Sequence, residues 1–226
     1  RLKVAELFTS LQGEGEVIGL PSHFIRCYGC DLTCQWCDTK YTWVGQDRAV
    51  EGREYRTYTV DELLAWIARA PRARWVTITG GEPLLQPIGG LCVALDRAGY
   101  QIVIETNGLH PPPPTLCELV AVWSVSPKLS NAHVAGTWGP LDWLGKVHRY
   151  YLKFVIQDPM RDLPEVEAFV AARGFSADHV VLQPDGLASA YEEALRRLAE
   201  VTRDLGLGFR VLPQLHRILW GLNRGH

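Results

Sequence analysis

The chain reads as an α/β protein, specifically a partial, open parallel β/α barrel of about six strands. Two features predict this. Short β-rich runs alternate with amphipathic helical stretches, and polar clusters follow one run after another on the same side. A third feature bounds the closure: a full eight-stranded barrel takes about 250 residues, and 226 residues with six or seven such runs fall short of one.

Taken in order, the predicted strands are Ser22 to Cys27, Trp75 to Thr79, Gln101 to Glu105, Val120 to Val125, Tyr150 to Ile156 and His179 to Leu182. Each is rich in β-branched or aromatic residues. The predicted helices are Val60 to Ala70, Ile88 to Ala98, Leu163 to Ala172 and Ser189 to Leu205, where apolar positions recur at helical spacing. Asp61, Glu62, Glu192 and Glu193 lie in the first turns of two of them and favour the helix dipole there. The proline run Pro111 to Pro114 reads as a stiff extended connection. No repeat and no Gly-, Ser- or charge-rich linker divides the chain, so residues 1–226 are expected to form one domain.

In a parallel barrel the carboxyl ends of the strands share one mouth, where chemistry is done. Here those ends carry Gly80-Gly81-Glu82-Pro83, Glu105-Thr106-Asn107-Gly108, Ser126-Pro127-Lys128, Lys153 and Gln183-Pro184-Asp185. Polar turn-forming loops account for any single cluster. Two glycines directly after an apolar strand further suggest close backbone approach to a ligand.

Composition narrows the class. Hydrophobic residues are 47% and charged residues 21%, as in an ordinary globular enzyme. A net charge of −2 with no Lys/Arg block argues against nucleic-acid binding. No stretch reaches the roughly 20 apolar residues of a membrane span, and the start Arg1 to Glu6 lacks a signal-peptide core, so a cytoplasmic location is expected. Six cysteines (27, 30, 34, 37, 92 and 117) permit a disulfide framework arithmetically, but a chain of this length buries enough core without staples. Cys27-x2-Cys30 with Cys34-x2-Cys37 would also serve as paired zinc knuckles, although three intervening residues are few for that motif.

Cys30-x3-Cys34-x2-Cys37 has no downstream partner that completes a four-ligand set. Three thiolates on a four-iron cluster leave one iron open, which suits a site of chemistry better than a structural one. With Leu11-Gln12-Gly13-Glu14-Gly15, Phe24-Ile25-Arg26, Cys37-Asp38-Thr39, Thr79-Gly80-Gly81-Glu82-Pro83, Glu105-Thr106-Asn107-Gly108, Ser126-Pro127-Lys128 and Gln214-Leu215-His216 in place, the chain resembles the radical SAM superfamily. Within it, the chain resembles the 7-carboxy-7-deazaguanine synthase family, over about residues 11 to 216.

The resemblance implies a carbon–nitrogen lyase that converts 6-carboxy-5,6,7,8-tetrahydropterin to 7-carboxy-7-deazaguanine with release of ammonia, on the route to queuosine. It implies a 4Fe-4S cluster, S-adenosylmethionine (SAM) and Mg²⁺ as cofactors, a flavodoxin or ferredoxin as reductant, and a homodimer. Cys30, Cys34 and Cys37 are then the cluster ligands. Trp36, Cys37, Asp38, Gly81, Ser126, Pro127, Lys128, Gln183, Pro184, Asp185 and Gly186 fall in the cofactor site. Leu11, Gln12, Gly13, Arg26 and Thr79 fall in the pterin site, with Arg26 pairing the substrate carboxylate, and Thr39 ligates Mg²⁺.

Several residues keep a plain structural alternative. Arg26 also suits a surface ion pair, and Thr39 a helix or turn cap. Glu14 is open between orienting Gln12, binding the pterin ring and sitting in a turn. Glu82 is expected to orient backbone or the SAM ammonium, with a solvated turn carboxylate as the alternative. His216 reads as a packed residue, Cys27 as a small buried side chain, and Gly221 to His226 as a solvated end. Two rival functions are a glycyl-radical enzyme activase, which has no use for the Leu11 to Gly15 segment, and a non-catalytic iron–sulfur electron-transfer protein, which calls for a complete cysteine shell and no lined cavity.

Overall fold

The computed structural model describes residues 1–134 and 138–225. Among the described residues, nine strands form one sheet: β1 (Leu2–Leu11), β2 (Pro21–Cys27), β3 (Arg56–Tyr58), β4 (Trp75–Gly80), β5 (Gln101–Thr106), β6 (Val122–Val125), β7 (Tyr150–Ile156), β8 (Val180–Pro184) and β9 (Arg210–Val211). Their order is β3-β1-β2-β4-β5-β6-β7-β8-β9, with the two end strands unpaired with each other, so the barrel is open. From β2 through β9 every neighbouring pair is parallel, while β1 runs antiparallel to both β2 and β3.

The six runs expected from the sequence are β2 and β4 to β8. The structure adds three strands to them. Of these, β1 escapes a period-two reading because a β-bulge interrupts it: Val4 pairs with Cys27, yet Glu6 pairs with Arg26. The extra residue reverses the faces. Leu2 and Val4 point into the core before the bulge, and Leu7 takes that side after it, which turns Glu6 to the opposite face. Strands β3 and β9, of three and two residues, are too short to show a period.

Helices α1 (Val60–Arg69), α2 (Gly89–Arg97), α3 (Pro114–Leu119), α4 (Pro159–Arg173), α5 (Tyr191–Asp204) and α6 (Leu215–Trp220) complete the chain. Thr59 and Glu62 close a capping box on α1. The proline run ends in a helix start instead of continuing extended, because Pro114 takes the first helical position of α3, where its missing N–H costs nothing. Asp158 caps α4 by accepting from the Met160 N–H with Pro159 at the first position, so that helix begins before the Leu163 expected from apolar spacing; Pro164 inside it had disguised the start.

One side of the sheet packs on the helices in a core that includes Ile25, Ile78, Ile102, Ile104, Leu152, Phe154 and Leu182. Alternate residues on the other side, Val103, Val122, Tyr151 and Val181, make a small apolar cluster that Val17, from the β1–β2 loop, fills. That side is thereby stoppered at one level and left polar above it. No helix among the described residues is long and apolar enough to cross a membrane.

Candidate active site

The strand ends, the β1–β2 loop, the cysteine loop and the C-terminal segment enclose a cavity of about 250 Å³. Cys30, Cys34 and Cys37 all line it, whereas Cys27 does not. Cys27 instead sits wholly buried in the sheet–helix core, where burial pushes its thiol up to about 12. This places it apart from the other three and removes the paired-knuckle arrangement. All six cysteines are free thiols. Burial raises Cys30 to about 12 and raises Cys34 as well, so each would need a bound cation to become a thiolate. Donors already aim at the sulfurs: the Leu32 N–H lies 3.4 Å from the Cys30 Sγ, and the Trp43 indole N–H lies 3.3 Å from the Cys37 Sγ. Three soft donors on one loop, facing a cavity, fit a three-cysteine iron–sulfur cluster.

The Gly80-Gly81 pair has a different cause from the one expected. A Cβ on Gly80, whose φ is +123°, would meet the Cys27 carbonyl oxygen at 2.3 Å; one on Gly81 would meet the Gly29 oxygen at 2.0 Å. The backbone that approaches so closely is the cysteine loop itself. Two hydrogen bonds fasten it there, from Gly81 N–H to Cys27 O and from Glu82 N–H to Gly29 O. Glu82 has no exposed surface and accepts from the Leu84 and Asn107 N–H groups and the Thr106 hydroxyl. It therefore orients backbone, and burial pushes its carboxyl upward. Asn107 and His110 both bond Asp31, beside Cys30, which ties the cysteine loop to the end of β5.

Deeper in, a network of charged and amide groups replaces apolar packing. Glu14 forms an ion pair with Lys153 and accepts from the Gln214 amide at 2.8 Å, while its own N–H donates to Gln12 Oε1. Gln12 Nε2 donates to Thr77 and to Glu105, and the Thr79 hydroxyl donates to the other Glu105 oxygen at 2.6 Å. Burial alone would raise Glu14, but Lys153, His216 and the Lys153 and Gln214 hydrogen bonds outweigh it and bring the carboxyl down to about 2. Lys153 is raised in turn by Glu14 and Glu105 against its own burial.

At the cavity's other edge, Arg26 lies 3.3 Å from Glu6 and its guanidinium sits over the Phe8 ring, which stacks on Phe24. Burial opposes its charge, but Tyr41, Asp38, Glu6 and Glu105 hold it cationic. Arg26 is thus no surface ion pair. Lys128 donates to the Ser126 carbonyl and hydroxyl, both at 2.7 Å, and lies over Trp36, whose indole N–H donates to Asn131. The polar atoms Arg26 Nε and Gln214 Oε1 are buried at the cavity with no aligned protein hydrogen bond.

Of the residues singled out from sequence, Leu11, Gln12, Gly13, Arg26, Thr79, Trp36, Asp38, Thr39, Gly81, Ser126, Lys128 and Gly186 line the cavity with the three cysteines. Pro127, Gln183, Pro184 and Asp185 do not. Gln183 donates to the Pro213 carbonyl, and Asp185 accepts from Gln157 and the Leu187 N–H. The sequence reading omitted Glu6, Glu14, Glu105, Lys153, Gln214 and His216 from the site, though all six line the cavity. Five of these stood in strand-end clusters or motifs already noted, and Glu6 did not. His216 packs so closely on Gly13 that a Cβ there would meet its ring at 2.2 Å. The C-terminal segment is exposed at Leu222, Asn223 and Arg224 as expected, but it is also packed: Gly221 to Gly225 line the cavity mouth, and Arg224 stacks 3.6 Å over the Tyr41 ring. His226, the last residue of that segment, is outside the described residues.

The radical SAM superfamily model matches residues 24–124. The chain is 39% identical to 7-carboxy-7-deazaguanine synthase of Pyrobaculum aerophilum, over 100% of this chain and 97% of that one. It is 36% identical to the enzyme of the same name from Halobacterium salinarum, over 97% of this chain and 90% of the relative. The crystal structure of QueE from Escherichia coli superposes with a TM-score of 0.72 at 29% identity, covering 95% of this chain and 94% of that one.

Proposed function

The chain belongs to the 7-carboxy-7-deazaguanine synthase family of radical SAM enzymes, and from that premise we propose roles for the residues around its cavity. The reaction is the ring contraction of 6-carboxy-5,6,7,8-tetrahydropterin to 7-carboxy-7-deazaguanine with release of ammonia. A 4Fe-4S cluster, SAM and Mg²⁺ are its cofactors. When bound and reduced, the cluster and SAM together supply a hydrogen-abstracting radical at the 5′ carbon.

One observation carries the residue roles. The three cysteines open onto the same cavity as Gln12, Arg26 and Thr79, so that cofactor and substrate would share one enclosed space. Cys30, Cys34 and Cys37 hold the cluster. Trp36, Asp38, Gly81, Ser126 and Lys128 form the SAM wall, with Gly186 beside it; Pro127 shapes the turn that carries its two neighbours. Gln183, Pro184 and Asp185 lie outside the cavity lining and are given no cofactor contact. Thr39 offers a hydroxyl oxygen to Mg²⁺, a hard cation that keeps substrate and water oxygens in its remaining positions.

On the pterin side, Leu11, Gln12 and Gly13 form one wall. Both ends of the Gln12 amide are occupied by neighbours, which fixes its orientation before substrate arrives. Glu14 and Glu105 are acceptors suited to the N–H groups of a pterin ring, and Thr79 holds Glu105 in place. Arg26 presents its guanidinium to the substrate carboxylate, where a planar fork makes two parallel charge-assisted bonds. The same reading takes residues 1–226 as one functional unit, a flavodoxin or ferredoxin as reductant, a homodimer as the assembly and the cytoplasm as the compartment. Six free cysteines are consistent with the last of these.

The rival functions have less support: Leu11 to Glu14 line the cavity, which a protein-activating enzyme does not call for, and the cysteine loop opens onto a lined space. Anaerobic reconstitution with iron and sulfide, then dithionite, SAM, Mg²⁺ and the carboxypterin, is expected to yield the deazaguanine and ammonia. Formation of 5′-deoxyadenosine without either product would sink the substrate assignment.

A further inference from the structure

The bulge in β1 has a chemical result that neither a strand pattern nor the cavity's other residues require. In an unbroken strand, Glu6 would share the core-facing side of Leu2 and Val4; the bulge turns it to the cavity side, directly opposite Arg26. Directly opposed residues of an antiparallel pair lie close enough for their side chains to interact. There Glu6 has three partners. Oε2 lies 3.3 Å from Arg26 Nε and accepts the Tyr41 hydroxyl at 2.9 Å, while Oε1 lies 3.8 Å from Arg224 Nε. Tyr41 is also the ring on which Arg224 stacks.

Glu6 meets Arg26 from the Nε side at 3.3 Å as an ion pair without an aligned hydrogen bond, so charge and not a directed bond sets the approach. A carboxylate behind Nε and a phenyl ring against one face define the direction of the remaining fork. The second Glu6 oxygen is spent on the segment that lines the cavity mouth. One anion therefore touches both the guanidinium inside and the chain that covers it.

We propose that Glu6 is a positioning residue for Arg26 and that the same carboxylate latches the C-terminal segment over the cavity through Arg224. Selectivity for a carboxylated pterin then depends on a group that does not itself touch substrate. This rests on the reading of Arg26 as the group that binds the substrate carboxylate.

The test compares Glu6→Gln, Arg224→Ala, Tyr41→Phe and Arg26→Ala in the cluster-loaded enzyme with SAM but no reductant, so that binding is read without turnover. Two ligands are used: 6-carboxytetrahydropterin and tetrahydropterin lacking the carboxylate. Glu6→Gln keeps the size and an acceptor for Tyr41 but removes the charge. It is expected to lower the preference for the carboxylated ligand about tenfold, and under turnover to raise KM by a larger factor than it lowers kcat. Hydrogen–deuterium exchange of residues 215–225 is expected to quicken in Glu6→Gln and Arg224→Ala, a change that a purely local effect on Arg26 would not produce. Arg224→Ala and Tyr41→Phe are expected to lower the preference in the same direction by smaller factors, and they carry the test if Glu6→Gln does not fold. An unchanged preference in all three overturns the proposal, as does tail exchange that responds to Arg224→Ala but not to Glu6→Gln. If Arg26→Ala also leaves the preference unchanged, the reading of Arg26 has failed; if only Arg26→Ala collapses it, Glu6 alone is excluded.

Discussion

The cysteine loop and the barrel interior border the same cavity, and they are held by different kinds of contact. Residues 28 to 43 are anchored mainly through backbone: Gly29 N–H to Thr42 O, Glu82 N–H to Gly29 O, Gln35 N–H to Ala132 O, and a Gln46 amide that bonds both the N–H and the carbonyl of Cys30. The interior is a lattice of side chains on side chains, in which Glu14, Lys153, Gln12, Glu105, Thr79 and Gln214 pair with one another and only Gln214 Oε1 among their buried polar atoms is left over. Burial disfavours the charged form of Cys30 and Cys34, while Glu14 and Lys153 are charged and paired with each other. Under the proposed roles, the interior side of the cavity is organised in advance and the cysteine side is completed by what it binds.

The largest effect that tests this comparison is on the loop. Cys30→Ala is expected to abolish the cluster's visible absorbance and its bound iron, whereas Cys27→Ala keeps both, because Cys27 faces the opposite core. Equal loss of iron in the two variants would break the three-ligand assignment.

Next comes the lattice. Lys153→Met leaves Glu14 buried without its cation, a change expected to cost about 3–5 kcal/mol of unfolding free energy by denaturant titration. Replacing both partners with apolar residues is expected to recover much of it. The same pair sets an acid limit. Glu14 is held at about 2 in the folded protein, below the ordinary glutamate value of 4.5. Its contribution is thus present in full above pH 4.5 and is lost as pH falls from there through about 2. Glu14→Gln is expected to flatten that part of the stability profile.

Gly81→Ala should fall in the middle, at about 1–3 kcal/mol, since its Cβ would press on the Gly29 carbonyl at 2.0 Å and push the loop outward. Iron retention during gel filtration is expected to fall with it; wild-type stability and retention would mean the loop shifts freely and would blur the contrast between the two regions. The smallest effect is His110→Ala, which removes a half-exposed pair with Asp31 and is expected to cost under about 1 kcal/mol. A larger loss would make side chains as important to the loop as they are to the interior.

Much of the fold was legible from residue pattern. The parallel strands at Trp75, Gln101, Tyr150 and His179 showed their β-branched runs because both faces of each are covered, and the open barrel followed from their number. That Cys30, Cys34 and Cys37 face the cavity together while Cys27 is buried elsewhere was foreshadowed by their spacing, since position within one loop is a local property. By contrast, β1 was not, because its bulge breaks the period on which strand reading depends.

What the sequence by itself determined, then, is which residues would gather at the strand ends and which thiols would act together, since both follow from neighbours along the chain. Only the tertiary structure decided how those residues are paired. Glu14 meets Lys153 and Gln214 across 139 and 200 positions of sequence, and such contacts leave no trace in local periodicity. It also decided that Gly80 and Gly81 make room for the cysteine loop, that Glu6 turns toward Arg26, and that Arg224 closes on Tyr41. Each of these depends on the distance between segments, which is fixed when the sheet curves and not before.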